Sequence, residues 1–226
     1  VGHIFGGDRC LSSDWDEILR PVISKFAHLH FAASEEHRQR LIRMGELESR
    51  VWNTGGPNLD VLVQAASTPI EELAINFNFD PVAGYLLLIM HPTPMLPDEN
   101  EDALKETLRG MLTLELPIFA SYPNTDPSNA RYRDVLDDFA LRFDNVRLHH
   151  NVPTADWVGL YRHAKAIVGN SSSIVIESTI LGIPGLLVGR RQELRECSSN
   201  VVRVGALEQE VVAGLDLILT EQFREE

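Results

Sequence analysis

Cysteine is scarce: the chain has two, Cys10 and Cys197, and neither sits in a CxxC or other zinc-binding spacing. That excludes a disulfide framework and a zinc module, and makes a reducing cytoplasm the expected setting. No apolar run approaches the roughly 18 residues that span a bilayer, and no signal-peptide pattern opens the sequence, so no membrane segment is expected. Positive charge is in short supply, with 20 Lys and Arg against 33 Asp and Glu and a formal net charge of −13. This argues against nonspecific binding to nucleic acid or an anionic membrane. Repeats and low-complexity tracts are missing, and only the polar, proline-containing stretch 92–100 interrupts the pattern. What is present is 226 residues, 44% hydrophobic and 23% charged, which can bury one sizeable core or two small ones. One locally basic group stands out, Arg190, Arg191 and Arg195. A homo-oligomer is compatible with this composition.

The most informative stretch is GNSSSIVIES, Gly169 to Ser178. Ala166-Ile167-Val168 reads as a short buried strand, and Ile174, Val175, Ile176 and Leu181 resume an apolar pattern beyond the serines, which predicts strand, tight turn and helix. Gly169 permits an unusual turn, while Asn170, Ser171, Ser172 and Ser173 place polar groups beside the unpaired N–H groups of the first helical turn. Those donors, with the positive end of the helix dipole, suit a phosphate and need no metal. An ordinary N-cap is the alternative, although a cap needs one serine and not three. Glu177, one turn further on, cannot assist a phosphate but can accept hydrogen bonds from sugar hydroxyls, so the pattern reads as a nucleotide-sugar site.

Beyond residue 64 the apolar runs alternate as strand and helix: strands at 85–90, 117–121, 146–149, 166–168 and 185–188, and helices at 101–112, 129–143, 156–163, 173–181 and 206–219. Strands separated by helices pair in parallel through right-handed crossovers, giving a doubly wound α/β sheet with ligands beyond the strand C-termini. His91, Tyr122-Pro123-Asn124-Asp126 and Gly169-Asn170-Ser171 each fall at such an end. His149 and His150 are adjacent on a strand and so point to opposite faces, with no third ligand at suitable spacing; His28 and His30 share a face, which leaves a metal pair open there. Upstream, spacing predicts a strand at 1–5, a helix at 14–27 capped by Ser13 or Asp14, a strand at 29–33 and a helix at 35–44. Thr68-Pro69-Ile70-Glu71 reads as a capping box, and a domain boundary is expected near Gln64, dividing the chain into 1–64 and 65–226.

The segment GNSSSIVIESTILGIPGLLVGRRQELRE resembles the C-terminal signature of the hydrolysing UDP-N-acetylglucosamine 2-epimerase family: GNSS, a Glu, a Gly-Pro turn, then G-x-R-Q. DWDEILRPVISKFAHLHF resembles the family's D-D-x-I-R-H-x-I-T-K-x-A-H-x-H-F, NTGGPNLD its V-G-G-P-x-x-D, and His91-Pro92 its H-P-x-T. Anchored on Arg20, the family's two acidic positions fall on Asp16 and Glu17; Pro21 replaces a common His, two extra residues follow Asp8, and Phe5 stands where many members have Glu or His. The resemblance implies a GT-B-like fold, with one complete doubly wound Rossmann-like domain plus the last part of a second, the opening strand lying late in the family's N-terminal domain. Roughly the first third of a complete protein is therefore expected to precede Val1.

The chemistry implied is elimination of UDP from the sugar nucleotide with loss of the C2 proton, then addition of water to release N-acetylmannosamine, as in sialic-acid-type sugar biosynthesis, without cofactor or metal. Asp16 is the first candidate for proton transfer, with Asp8 and His91 beside it. Asn124, Asp126, Gly169, Asn170, Ser171, Ser172, Glu177 and Arg191 are the candidates for binding the UDP-sugar. A GT-B UDP-sugar glycosyltransferase, and a nucleotide-sugar-binding chain without catalysis, stand as alternatives, because fold and diphosphate site alone do not separate them.

Overall fold

Four-residue apolar runs bounded by turns become strands, and apolar residues at helical spacing become the helices that cover them. The computed structural model describes residues 1–10, 14–94, 96–97, 99–123, 128–150 and 152–225. The chain opens with β1 (Gly2–Ile4), α1 (Asp14–Phe26), β2 (Leu29–Ala32), α2 (Glu35–Arg43), β3 (Val51–Asn53), α3 (Pro57–Gln64) and α4 (Ile70–Phe77). It continues with β4 (Leu86–Ile89), α5 (Asn100–Leu112), β5 (Ile118–Ser121), α6 (Asn129–Arg142), β6 (Val146–His149) and α7 (Thr154–His163). The last elements are β7 (Ala166–Gly169), α8 (Ser172–Leu181), β8 (Gly185–Val188), β9 (Val201–Val204), α9 (Glu208–Ile218) and α10 (Glu221–Glu225).

Two parallel sheets result, a three-stranded one in the order β1-β2-β3 and a six-stranded one in the order β6-β5-β4-β7-β8-β9. In β4, Leu86 and Leu88 face a core built with α5, α6 and α9, while Leu87 and Ile89 face one built with α4, α7 and α8. Both faces are covered, so the larger sheet is doubly wound and the architecture is the expected α/β, GT-B-like one. Strand order reverses between β4 and β7, and all strand C-termini lie on one edge, which fixes where a ligand is expected.

The structure departs from expectation in several places, with β3, α3 and α10 among the elements not expected from the apolar pattern. β9 has no counterpart in the apolar pattern, because it lies at the sheet edge with Arg203 exposed and is joined to β8 by a helix-free crossover. The capping box does not form: α4 begins at Ile70 with Pro69 as N-cap and no side-chain cap bond, and Thr68 Oγ1 instead donates to Asp156 Oδ1 at the start of α7. Phe5 lies outside β1 in a left-handed conformation (φ 63), which an aromatic residue rarely adopts. Ser13, one of the two cap candidates for α1, lies outside the described residues. No helix among the described residues is long and apolar enough to cross a membrane.

Candidate functional site

The turn from β7 to α8 is set by Gly169. Its φ is +137, and a Cβ there would stand 2.2 Å from the Ile89 carbonyl oxygen, so only glycine lets β7 lie this close to β4. Asn170 follows, buried, and clamps the neighbouring strand end: its Oδ1 accepts from His91 N and its Nδ2 donates to His91 O, both at 2.8 Å. The amide proposed from sequence as a ligand group thus also fixes the backbone of His91. Ser171 is the N-cap of α8, accepting from Ser173 N at 3.3 Å and from Ser173 Oγ at 2.9 Å. Ser172 opens the helix, where backbone N–H groups have no intrahelical partner. Tyr161 OH donates to Ser173 O at 2.7 Å and steadies this first turn from α7.

Two residues after β8 close the turn from the other side. Arg191 donates from Nη1 to Asn170 O at 3.2 Å, and Gln192 from Nε2 to the same oxygen at 3.0 Å. Both are buried, so a guanidinium is held against the start of α8 where an anion would sit. On α8, Glu177 has a buried Oε2 with no hydrogen-bond partner among the described residues. Burial pushes its carboxyl above the ordinary value, opposed by a backbone hydrogen bond and by Arg195. A buried acceptor left open is costly unless a ligand donor meets it.

Asp8 and Asp16 share one guanidinium, with Arg20 Nη1 3.4 Å from Asp8 Oδ2 and Nη2 3.4 Å from Asp16 Oδ2, yet of the two only Asp8 lines the cleft. Asp8 lines a cleft of about 300 Å³ between the three-stranded sheet and α8, with Phe5, His37, Val175, Ile176 and Arg195. Burial raises its carboxyl, but hydrogen bonding to Arg195 and the charges of Arg195, Arg20 and His37 outweigh this and hold it below the usual carboxylate value. Asp16 does not reach the cleft: its side chain is 54% exposed on the first turn of α1, and it pairs with Arg20 at 3.4 Å. Glu17 turns inward instead, accepting from Cys10 N at 2.6 Å and from Arg9 Nε at 2.8 Å. A carboxylate one position along a helix is rotated about 100°, which sequence spacing alone cannot orient.

At the ends of β5 and β6 an aromatic recess of about 330 Å³ is lined by Tyr122, His149, His150 and Trp157. Tyr122 and His150 stack with ring centroids 4.0 Å apart. The His149 ring borders the recess from the other side, packed against Phe77 and Phe119. Asn124 and Asp126 lie outside the described residues. Gln192 and Trp157 are not among the site residues expected from sequence, and Arg195 is expected only as part of the local basic group; Gln192 belongs to the G-x-R-Q signature, so a signal exists for it. No cluster of three metal-ligating side chains occurs among the described residues.

Compared with known proteins, residues 1–226 match the model of the family described as UDP-N-acetylglucosamine 2-epimerase. The chain is 33% identical over 215 residues to the UDP-N,N'-diacetylbacillosamine 2-epimerase (hydrolyzing) of Legionella pneumophila, covering 95% of this chain and 56% of that protein. It is 28% identical over 206 residues to the UDP-N-acetylglucosamine 2-epimerase of Neisseria meningitidis, covering 89% and 52%. Among solved structures, the N. meningitidis UDP-GlcNAc 2-epimerase bound to UDP-GlcNAc is similar in fold, with a TM-score of 0.81 at 21% identity, covering 100% of this chain and 63% of that one. The chain therefore spans little more than half the length of the relatives it matches. Matched by the family model from its first residue to its last, the chain belongs to the UDP-N-acetylglucosamine 2-epimerase family.

Proposed function

We propose that this chain carries the nucleotide-binding part of a hydrolysing UDP-sugar 2-epimerase, acting on an N-acetylated sugar nucleotide and serving the synthesis of sialic-acid-type sugars. The observation that carries the reading is the glycine-forced opening of α8, which sets Ser171, Ser172 and Arg191 around one anion position with the open oxygen of Glu177 a turn away. The diphosphate lies at the helix start, the ribose hydroxyls donate to Glu177, and the base enters the aromatic recess beside Trp157. The sugar then projects toward the cleft where Asp8 stands. Removal of the C2 proton and departure of UDP from C1 leave a bound glycal; addition of water returns a proton to C2 and a hydroxyl to C1, giving the free 2-epimer. Asp8 is better placed for proton transfer than Asp16, with His91 at the end of β4. Relatives named for UDP-N,N'-diacetylbacillosamine and for UDP-N-acetylglucosamine support one of these two sugars. Residues 1–64 and 65–226 are read as parts of two domains enclosing the cleft, localisation as cytoplasmic, and self-association as open.

Calorimetry of UDP on the wild type and on the Ser171→Ala/Ser172→Ala double variant tests this. Each lost hydroxyl bond to a charged group is worth roughly 1.5–3 kcal/mol, so the double variant should bind at least a hundredfold more weakly, and equal affinity would sink the assignment. A second reading, a nucleotide-sugar-binding chain without turnover, is favoured by one observation: Asp16 is exposed and Asp8 is neutralised by Arg195. The 226-residue chain alone is expected to turn over little or no substrate under either reading, because two domains must close to bring acid and base against the sugar. Release of UDP from UDP-N-acetylglucosamine by this chain completed to the length of its relatives decides between the two.

A further inference from the structure

Arg195 belongs to both halves of the site. Its Nε donates to Asp8 Oδ1 at 3.0 Å and its Nη2 to Asp8 Oδ2, a fork joining positions 8 and 195 across the cleft, with side chains only 9% and 11% exposed. Its remaining nitrogen, Nη1, donates to Gln192 Oε1 at 2.7 Å, and Gln192 donates onward to Asn170 O at 3.0 Å. The charge of Glu177 also acts on this guanidinium. One cation therefore stands a single side chain from the residues that open α8 while holding the carboxylate that faces the cavity. The two duties conflict. A carboxylate gripped by a guanidinium is a weak proton acceptor, and a guanidinium so engaged is not available to a diphosphate, which offers the same planar fork more charge.

We propose that Arg195 is a positioning residue that changes partner: without ligand it is seated on Asp8, and a nucleoside diphosphate at the start of α8 competes for it and frees the Asp8 carboxylate toward the cavity. This rests on the reading above that the α8 turn takes the UDP portion of a sugar nucleotide. Asp8 is not stranded by the exchange, because Arg20 Nη1 from α1 lies 3.4 Å from Oδ2 and His37 Nε2 from α2 lies 3.5 Å from Oδ1. Arg40, whose Nη1 donates to Gly7 O, stands nearby, and Glu196 lines the same cleft. The exchange delivers the proton acceptor only when substrate is in place, so the cavity holds no freed base while it is empty.

Competition is reciprocal, since whatever the diphosphate takes from Asp8, Asp8 withholds from the diphosphate. Asp8→Asn, which weakens the competitor, is therefore expected to tighten UDP by about tenfold, whereas a merely structural salt bridge predicts unchanged or weaker binding. Arg195→Gln should weaken UDP and erase the effect of Asp8→Asn in the double variant; an advantage that persists there would come from general removal of negative charge and overturns the proposal. Titration of the Asp8 carboxyl by carbon NMR on the wild type gives an independent readout, with an upward shift expected at saturating UDP. An unmoved carboxyl under saturating UDP overturns the exchange even if Asp8→Asn fails to fold. Absence of UDP binding by the wild type overturns the nucleotide reading and the exchange with it, while binding indifferent to Asp8→Asn overturns the exchange alone.

Discussion

In the six-stranded sheet, β4 presents four consecutive buried apolar residues and feeds them into two clusters, one on each face. In the three-stranded sheet the buried cluster shrinks to Ala32, Leu41 and Val51, with Ile42 packed against it. Polar contacts join it: His30 Nε2 lies 3.1 Å from Glu46 Oε2, His3 Nδ1 lies 2.9 Å from Ser24 Oγ, and the half-exposed Lys25 donates from Nζ to Glu46 Oε1 at 2.7 Å, while Phe31 stacks on Trp52 with centroids 5.7 Å apart. Meanwhile Ile18, Leu19, Ile23 and Phe26 of α1 are exposed. Apolar burial scales with area and is indifferent to pH, whereas a histidine network is not. The same βα arrangement is therefore stabilised mainly by apolar area in one region and by polar pairing as well in the other, and the functional cleft lies where the two meet.

The sharpest break of this contrast is a cavity in the larger sheet. Leu87 is fully buried, so Leu87→Ala should destabilise by about 2–5 kcal/mol. Urea unfolding measures it, and a loss below about 1 kcal/mol would mean that the core does not carry this region.

A smaller effect is expected from pH, and chiefly in the three-stranded sheet. Burial lowers the pKa of His3, aided by His30 and Arg20, and burial lowers that of His37, aided by Arg40 and Arg195 and opposed by Asp8. Both folded values lie below the unfolded value of 6.5, so the unfolded chain gains protons first as pH falls. Their contribution is complete above about 6.5 and is lost as pH falls from there toward the folded values. His149 shifts in the same direction but is packed against the larger core. Asp8, also lowered, contributes above its unfolded value of 3.8 and gives way only as pH falls through its folded value. Hydrogen exchange at pH 7.5 and 5.5, after correction for intrinsic rates, should therefore show amides of β1 to β3 opening more easily at the lower pH while β4 and β7 hold. Equal loosening of both sheets would remove the distinction.

How far sequence reached follows the same division. β4, β5, β7 and β8 were legible because continuous apolar runs leave no other use for those residues, and the α8 turn was legible because Gly169 and the serines act locally. The ranking of Asp16 over Asp8 follows from the family resemblance anchored on Arg20, and a motif match does not say which side of α1 faces inward. Thr68 reads locally as a cap because its partner Asp156 is 88 residues away, and Arg195 reads only as part of a basic group because Asp8 is 187 residues away. Local chemistry is written in the sequence; pairings across the cleft are not.

The mildest test sits on α1 itself. Ile23 is 48% exposed, so Ile23→Ser should change stability by no more than about 0.5 kcal/mol, against several for Leu87→Ala. Serine lowers helix propensity only slightly relative to isoleucine, and half of the removed surface was already in water. Urea unfolding at two protein concentrations distinguishes the outcomes. A small loss that is independent of concentration leaves α1 an open face supported by its polar contacts. A loss above about 1.5 kcal/mol that grows with concentration would mean that the face is covered by a second copy, and the three-stranded region would then owe its stability to apolar area after all.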